Sequence, residues 1–334
     1  MSLVATTQSI PSKRAADGQA DNGVLSLDRQ ESGVLAGGRP QAVVRGLLSD
    51  LIQLTKPRIV LMVLVTAAVA VVVAAGSRVS AVAMFQMLLG TALVGASAGA
   101  MNQIWERTID LRMRRTRNRP LPAGRISLPV AAIYCAGLGL LGTAMLYVWN
   151  GFLPAFFGAI TWVTYVLIYT PMKTRTAWNT TIGAISGALP MMIGFTAAGG
   201  SITDPVGWLL VSVLVAWQYP HFMAIAWIYR REYGTAGFQM TPVVEPSGRS
   251  AGAQAVAGSI AVVIFSTAVI GLTAGGWFAL TCCVGMLVIT QGLLRSSLVF
   301  ATDRSDNHAR RMLRASLIQL PLVMLVFMIA GLLS

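Results

Sequence analysis

Charge is what this sequence lacks. Only 11% of its 334 residues are Asp, Glu, Lys or Arg, against about 25% in soluble globular chains, which excludes an ordinary water-soluble domain. Acids are the scarcer sign: 12 Asp and Glu stand against 25 Lys and Arg, for a net charge of +13. Two histidines and three cysteines, with no metal-type spacing among the cysteines, argue against a thiolate metal centre. Cys135, Cys282 and Cys283 all lie inside apolar stretches, and the adjacent pair is poorly placed to join. All three read as small packing residues.

Apolar residues are abundant instead, at 55% of the chain with a mean hydropathy of +0.68. Apolar runs fall at about 58–76, 82–102, 128–148, 152–170, 180–198, 207–228, 253–273, 275–293 and 312–332. Each approaches the roughly 20 residues that cross a hydrocarbon core as a helix. The expectation is an all-α polytopic membrane protein with nine spans over 58–334. Residues 1–40 mix Gly, Ser, Asp and Arg without period and read as a disordered tail. That segment has no apolar core for a secretory signal, and Asp17, Asp21, Asp28 and Glu31 argue against a mitochondrial transit peptide. Between tail and spans, Val43, Val44, Leu47, Leu48, Leu51 and Ile52 recur at helical spacing, predicting an interfacial helix over 41–57.

Basic residues orient the spans. With the N-terminus in the cytoplasm, Arg107 to Arg125, Lys173, Arg175, Arg230, Arg231, Arg249 and Arg295 to Arg314 all fall on the cytoplasmic side, and the outer loops keep only Arg78. This asymmetry fits one orientation and rejects its reverse.

The charge that exists is concentrated after the second run, in "NQIWERTIDLRMRRTRNRPLPAG", Asn102 to Gly124. Asn102, Glu106 and Asp110 stand four residues apart and share one face of a helix. An amide and two carboxylates offer oxygen ligands to Mg²⁺, which takes one or two protein carboxylates and fills its shell with water and phosphate oxygens. The arginines behind them suit bidentate binding of phosphate. A simpler reading is also open: Arg107 and Arg114 lie three before and four after Asp110, within reach of intrahelical ion pairs, and the other arginines then serve topology alone. Pro120 and Pro122 are expected to break the helix.

These residues resemble the first motif of the UbiA superfamily of intramembrane prenyltransferases, in the form of its protohaem-farnesylating members. Asn102, Glu106, Asp110, Met113, Arg115, Thr116, Arg119, Pro120 and Leu121 match it. "LTKPRIV" (Leu54 to Val60), "YTPMKTRTAWN" followed by "GAISGALPMMIGF", and "WQYPHFMAIAWIYRREYGTAGFQMTPVV" (Trp217 to Val244) resemble further motifs in the same order. Within the last of these, Glu232 stands where many members have Asp, Gln239 where they have Pro, and Thr241 where they have Leu. No other acid follows before Glu245, which puts a second, fully acidic metal site in doubt.

The resemblance implies a UbiA-type bundle with a cavity facing the cytoplasm, in a bacterial inner membrane. It implies farnesyl transfer from farnesyl diphosphate to a vinyl group of haem B, giving haem O for terminal oxidases, with Mg²⁺ as cofactor. Asn102, Glu106 and Asp110 would hold the metal, and Arg115 and Arg119 the diphosphate, joined by Lys173 and Arg175. Gln218, His221, Glu232 and Tyr233 would face substrate. A haem A synthase or oxidase assembly machinery would receive the product, and nucleic acid has no part.

His221 has two readings, contact with the haem substrate (including its iron) or a neutral histidine bonded to a neighbouring helix. His308, in a polar loop, reads as solvated. Tyr165, Tyr169 and Tyr233 either line a substrate mouth or belong to the aromatic belt, and Met191, Met192 and Met223 read as packing. A quinone-precursor or aromatic-acid acceptor is the nearest rival. A transporter is the rival of another class, disfavoured because the charges cluster at one face rather than at mid-membrane.

Overall fold

The computed structural model describes residues 40–333, so the tail expected over 1–40 lies outside the described residues except for Pro40. Among the described residues all regular structure is helical. Helix α1 (Pro40–Leu54) precedes α2 (Pro57–Ala75), α3 (Ala81–Asp110) and α4 (Leu128–Asn150). Next come α5 (Phe152–Val163), a π-helical turn (Thr164–Tyr169) and α6 (Thr170–Met172), which together form one span. Helices α7 (Asn179–Ala188) and α8 (Pro190–Ala197) form the next, interrupted at Leu189 before Pro190. Then follow α9 (Pro205–Ile228), short α10 (Arg230–Ala236) and α11 (Thr241–Val244), and long α12 (Arg249–Thr273), α13 (Gly276–Thr302) and α14 (Asp306–Leu333). Nine helical stretches among the described residues are long and apolar enough to cross a membrane.

The spans are not equivalent. In its most apolar stretch the α7–α8 span is 72% buried and α9 61%, against 22% for α4 and α13. The α7–α8 span and α9 are therefore the most enclosed by their neighbours. Side chains such as Ile133, Leu140 and Val148 stand about three-quarters exposed, a cost in water but not against hydrocarbon. Met191, Met192 and Met223 are wholly buried in the core, as packing residues should be.

Close helix contact is achieved with small residues, because apolar surface gains little by leaving lipid and packing must hold the bundle together. A Cβ at Gly142 on α4 would lie 2.8 Å from the Gly90 carbonyl oxygen on α3. A Cβ at Gly194 on α8 would lie 2.0 Å from the Ala67 carbonyl oxygen on α2. Neither position has room for a side chain.

One sequence expectation needs correction. Helix α3 ends at Asp110, ten residues before Pro120. Backbone bonds from Arg112 to Ile109 and from Met113 to Asp110 turn the chain there, and the Thr116 hydroxyl donates to the Asp110 carbonyl oxygen at 3.0 Å. Met113 is drawn into a buried cluster with Tyr233, Ala236 and Phe238. Satisfied carbonyls and tertiary burial end the helix before proline has the chance.

Candidate active site

Asn102, Glu106 and Asp110 occupy the inner face of the last two turns of α3, and all three are buried (1%, 6% and 0% exposed). Each is matched to a cation. Lys173 Nζ lies 2.6 Å from Glu106 Oε1, and Arg119 Nη1 lies 2.7 Å from Asp110 Oδ2 and 4.0 Å from Glu106 Oε2. Lys56 Nζ donates to Asn102 Oδ1, while the Asn102 amide nitrogen donates to Thr170 Oγ1 at 3.2 Å. The proposed intrahelical pairs are not formed, because Arg114 lies beyond the helix end and is exposed, and Arg107 donates to the Ile104 carbonyl oxygen.

Local sequence explains how these cations arrive. Lys56 has φ 53°, the single non-glycine residue with positive φ among those described, a conformation that L residues seldom adopt. It sits between α1 and Pro57, the first residue of α2, and Gln103 on α3 donates to the Gln53 and Leu54 carbonyl oxygens to hold that turn. Gly99 lets this turn approach α3 closely, as a Cβ there would lie 3.2 Å from the Thr55 carbonyl oxygen. Lys173 follows the π-helical turn, a feature often found at functional sites, and its ammonium lies 4.4 Å from the centre of the Tyr169 ring.

Enclosure of the Lys56 ammonium, with repulsion from Lys173 and Arg119, pushes its pKa down to about 7 against the pull of Glu106 and Asp110. Burial also opposes the charge on Lys173, but Glu106 and the phenols of Tyr169 and Tyr165 outweigh it and its pKa is raised.

Three connecting segments are tied together at this end of the bundle. Arg115 donates to the Tyr233 hydroxyl at 3.2 Å and lies over the Tyr229 ring at 4.8 Å, which joins the loop after α3 to α10. The Gln239 backbone N–H donates to the Lys173 carbonyl oxygen at 2.6 Å, and Asn179 Nδ2 donates to the Gln239 backbone carbonyl oxygen at 2.9 Å.

The UbiA prenyltransferase family model matches residues 63–318. The chain belongs to the UbiA prenyltransferase family. A Rhodopirellula baltica protein named protoheme IX farnesyltransferase is 50% identical over 280 residues, covering 83% of this chain and 98% of its own. The mitochondrial protoheme IX farnesyltransferase of Arabidopsis thaliana is 33% identical over 275 residues, 81% of this chain and 62% of its own. Among solved structures, one of digeranylgeranylglyceryl phosphate synthase superposes with a TM-score of 0.72 at 15% identity, covering 86% of this chain and 99% of that one. A UbiA homologue from Archaeoglobus fulgidus bound to GPP and Mg²⁺ gives 0.62 at 17% identity, covering 85% and 100%. These two likenesses show the fold.

On this UbiA fold the expected substrate residues separate. Tyr233 joins the cap through Arg115, and Tyr169 lies against Lys173. Arg175 is exposed, and neither it nor Glu232, in the first turn of α10, forms an ion pair among the described residues. Gln218 donates to the Ala184 and Leu214 carbonyl oxygens and so ties α9 to α7. His221 Nδ1 meets Ser316 Oγ at 2.9 Å across the α9–α14 contact. His308, expected in a solvated loop, lies instead in the first turn of α14 with Nδ1 3.1 Å from Asp303 Oδ2. The residue missed from sequence is Lys56; its signal was a lysine placed at the edge of a span immediately before proline.

The donors at the end of α3 fit a hard cation. Asp110 Oδ1 is buried without a hydrogen-bond partner, an unmet acceptor that costs about 1–3 kcal/mol unless something is bound there. Among the described residues no three or more His, Cys, Asp or Glu are grouped so that they could hold a metal ion by themselves. A site of two carboxylates and one amide matches Mg²⁺ shared with a phosphate ligand rather than a metal held by protein alone.

Proposed function

We propose that this chain transfers the farnesyl group of farnesyl diphosphate to a vinyl group of haem B, yielding haem O and diphosphate, at the cytoplasmic face of a bacterial inner membrane. The observation that carries the reading is the closed set of three donors and three cations, Asn102–Lys56, Glu106–Lys173 and Asp110–Arg119. It supplies opposite charges to a metal diphosphate within one buried site. The names of the relatives over 83% of this chain support haem as the acceptor. The excess of basic residues at the loop-rich end supports the orientation. The product would pass to a haem A synthase or an oxidase assembly step.

Asn102, Glu106 and Asp110 would hold Mg²⁺, which when bound neutralises charge on the diphosphate oxygens. Lys56, Lys173 and Arg119 would turn from their protein partners onto the diphosphate, where charge-assisted bonds strengthen as the leaving group becomes more negative. The allylic C–O bond then breaks with its electron pair on diphosphate. The vinyl π electrons form the new C–C bond, and water adds to the porphyrin-side cation with loss of a proton. No strong base is needed, because the nucleophile is a π bond. The cap joined by Arg115, Tyr233 and Gln239 covers the charged end and limits early capture of the allylic cation by water.

The test is incubation of the purified protein in detergent with haem B, farnesyl diphosphate and Mg²⁺, followed by chromatography and mass measurement. Haem O is the expected product. Prenylation of a benzoate or naphthoate, with no haem O, would refute the acceptor assignment. Asp110→Asn should abolish Mg²⁺-dependent turnover while the protein still inserts, and normal turnover would remove Asp110 from the metal site.

A further inference from the structure

The contact between α9 and α14 carries an arrangement that packing does not require. Ser316 Oγ donates its only proton to the Leu313 carbonyl oxygen at 2.7 Å. It can therefore only accept from His221 at 2.9 Å, which places the imidazole proton on Nδ1. Nε2 keeps its lone pair and has no partner among the described residues, although it is not among the sealed, unpaired buried atoms. The ring plane is set as well. Trp217 stacks on it with centroids 4.7 Å apart and planes 20° apart, and Trp217 Nε1 donates to the Ser316 carbonyl oxygen at 2.9 Å. One serine thus holds both rings.

His221 shares the buried face of α9. The outer side of α9 is marked by a groove of about 850 Å³, where Trp208, Ser212, Val215 and Tyr219 form the floor between α7 and α12. At about 100° per residue, His221 points some 200° around from Tyr219, and its own face carries Leu210, Leu214 and Trp217, all buried. Its depth also suits a shared substrate. His221 lies seven residues, about 10 Å, from the end of α9 at Ile228, and Asn102 lies eight residues, about 12 Å, from the end of α3 at Asp110. Both helix ends are at the capped end of the bundle, where Arg115 meets Tyr233.

A neutral imidazole whose Nδ1–H is given to an oxygen, with Nε2 free, is the form that ligates metals. The only metal that the substrates bring to the bundle interior away from the diphosphate is the haem iron. We propose that His221 binds the iron of the haem substrate through Nε2, and that Ser316 is a positioning residue that sets its tautomer and ring orientation. This rests on the haem reading above. A single axial bond would fix the height and tilt of the porphyrin, and so bring one vinyl group to the allylic carbon.

The test uses the full chain in detergent, titrated with ferric haem B and followed by absorbance and electron paramagnetic resonance. The wild type should show histidine ligation, and His221→Gly should lose it and regain it on addition of imidazole. His308→Ala, which changes the only other histidine, should leave the spectrum unchanged. Ser316→Ala should weaken haem binding about tenfold, the usual scale for a partner of a metal-bound histidine. If His221→Gly does not fold, His221→Cys should convert the spectrum to a thiolate type. A protein that makes haem O but whose haem spectrum ignores both His221 variants and imidazole refutes the iron bond and leaves the proposed function standing. Absence of both haem binding and haem O refutes the two together.

Discussion

Lys173→Met removes one ammonium from the site and keeps most of its apolar stem. The Lys173–Glu106 pair is short, at 2.6 Å, and both side chains are about nine-tenths buried. Breaking such a pair from one side costs about 3–5 kcal/mol, because the remaining charge is left uncompensated. The lost contact with the Tyr169 ring adds about 0.5–1 kcal/mol. Against this, Arg119 stays 4.0 Å from the other Glu106 oxygen, an attraction of up to about 4 kcal/mol at an effective dielectric constant of 20, only part of which is new. The expected loss is therefore at the low end, about 3 kcal/mol, read by unfolding in mixed micelles. The double variant Glu106→Gln with Lys173→Met should recover all but about 1 kcal/mol, since replacing both members of a buried pair is often nearly neutral. It should not recover diphosphate release. Wild-type stability in Lys173→Met, or restored turnover in the double variant, would refute the assignment of a paired charge with a catalytic second use.

Lys56→Met should weaken binding of Mg²⁺–pyrophosphate about tenfold or more by calorimetry, the worth of one charge-assisted bond at about 1.5–3 kcal/mol; unchanged affinity would exclude Lys56 from the site. Gly194→Ala should cost about 1–3 kcal/mol or more, because its Cβ would fall 2.0 Å from the Ala67 carbonyl oxygen and α2 and α8 would have to part; full thermal stability would show the contact to be soft. Arg115→Ala should raise the rate of limited proteolysis in the loop after α3 about two- to fivefold, the equivalent of about 0.5–1 kcal/mol of lost cation–π contact with Tyr229; an unchanged rate would show that Arg115 does not hold the cap.

Much of the architecture was legible because its causes are local. Crossing hydrocarbon requires a long apolar run, and nine such runs are visible as letters. The four-residue spacing of Asn102, Glu106 and Asp110 put them on one face wherever the helix lay, and all three are buried there. The end of α3 was misjudged because proline was the visible breaker, whereas the true terminator is Thr116 folding back on the Asp110 carbonyl with Met113 drawn into the Tyr233 cluster. Arg115 and Arg119 could not be told apart by sequence. In the structure the first lies over Tyr229 and the second on Asp110.

The sequence by itself determined the class, the number of spans, the family and the shared helix face of Asn102, Glu106 and Asp110, since each follows from periodicity or from a continuous motif. Only the tertiary structure decided which cation meets which donor. Lys56 and Lys173 reach their partners across 46 and 67 residues of chain, through a left-handed turn at the start of α2 and a π-helical turn before α6. It also decided that His221 keeps Nε2 free, because that depends on where a serine nearly a hundred residues away spends its single proton. Pairing of this kind is a property of packed helices, and no local pattern encodes it.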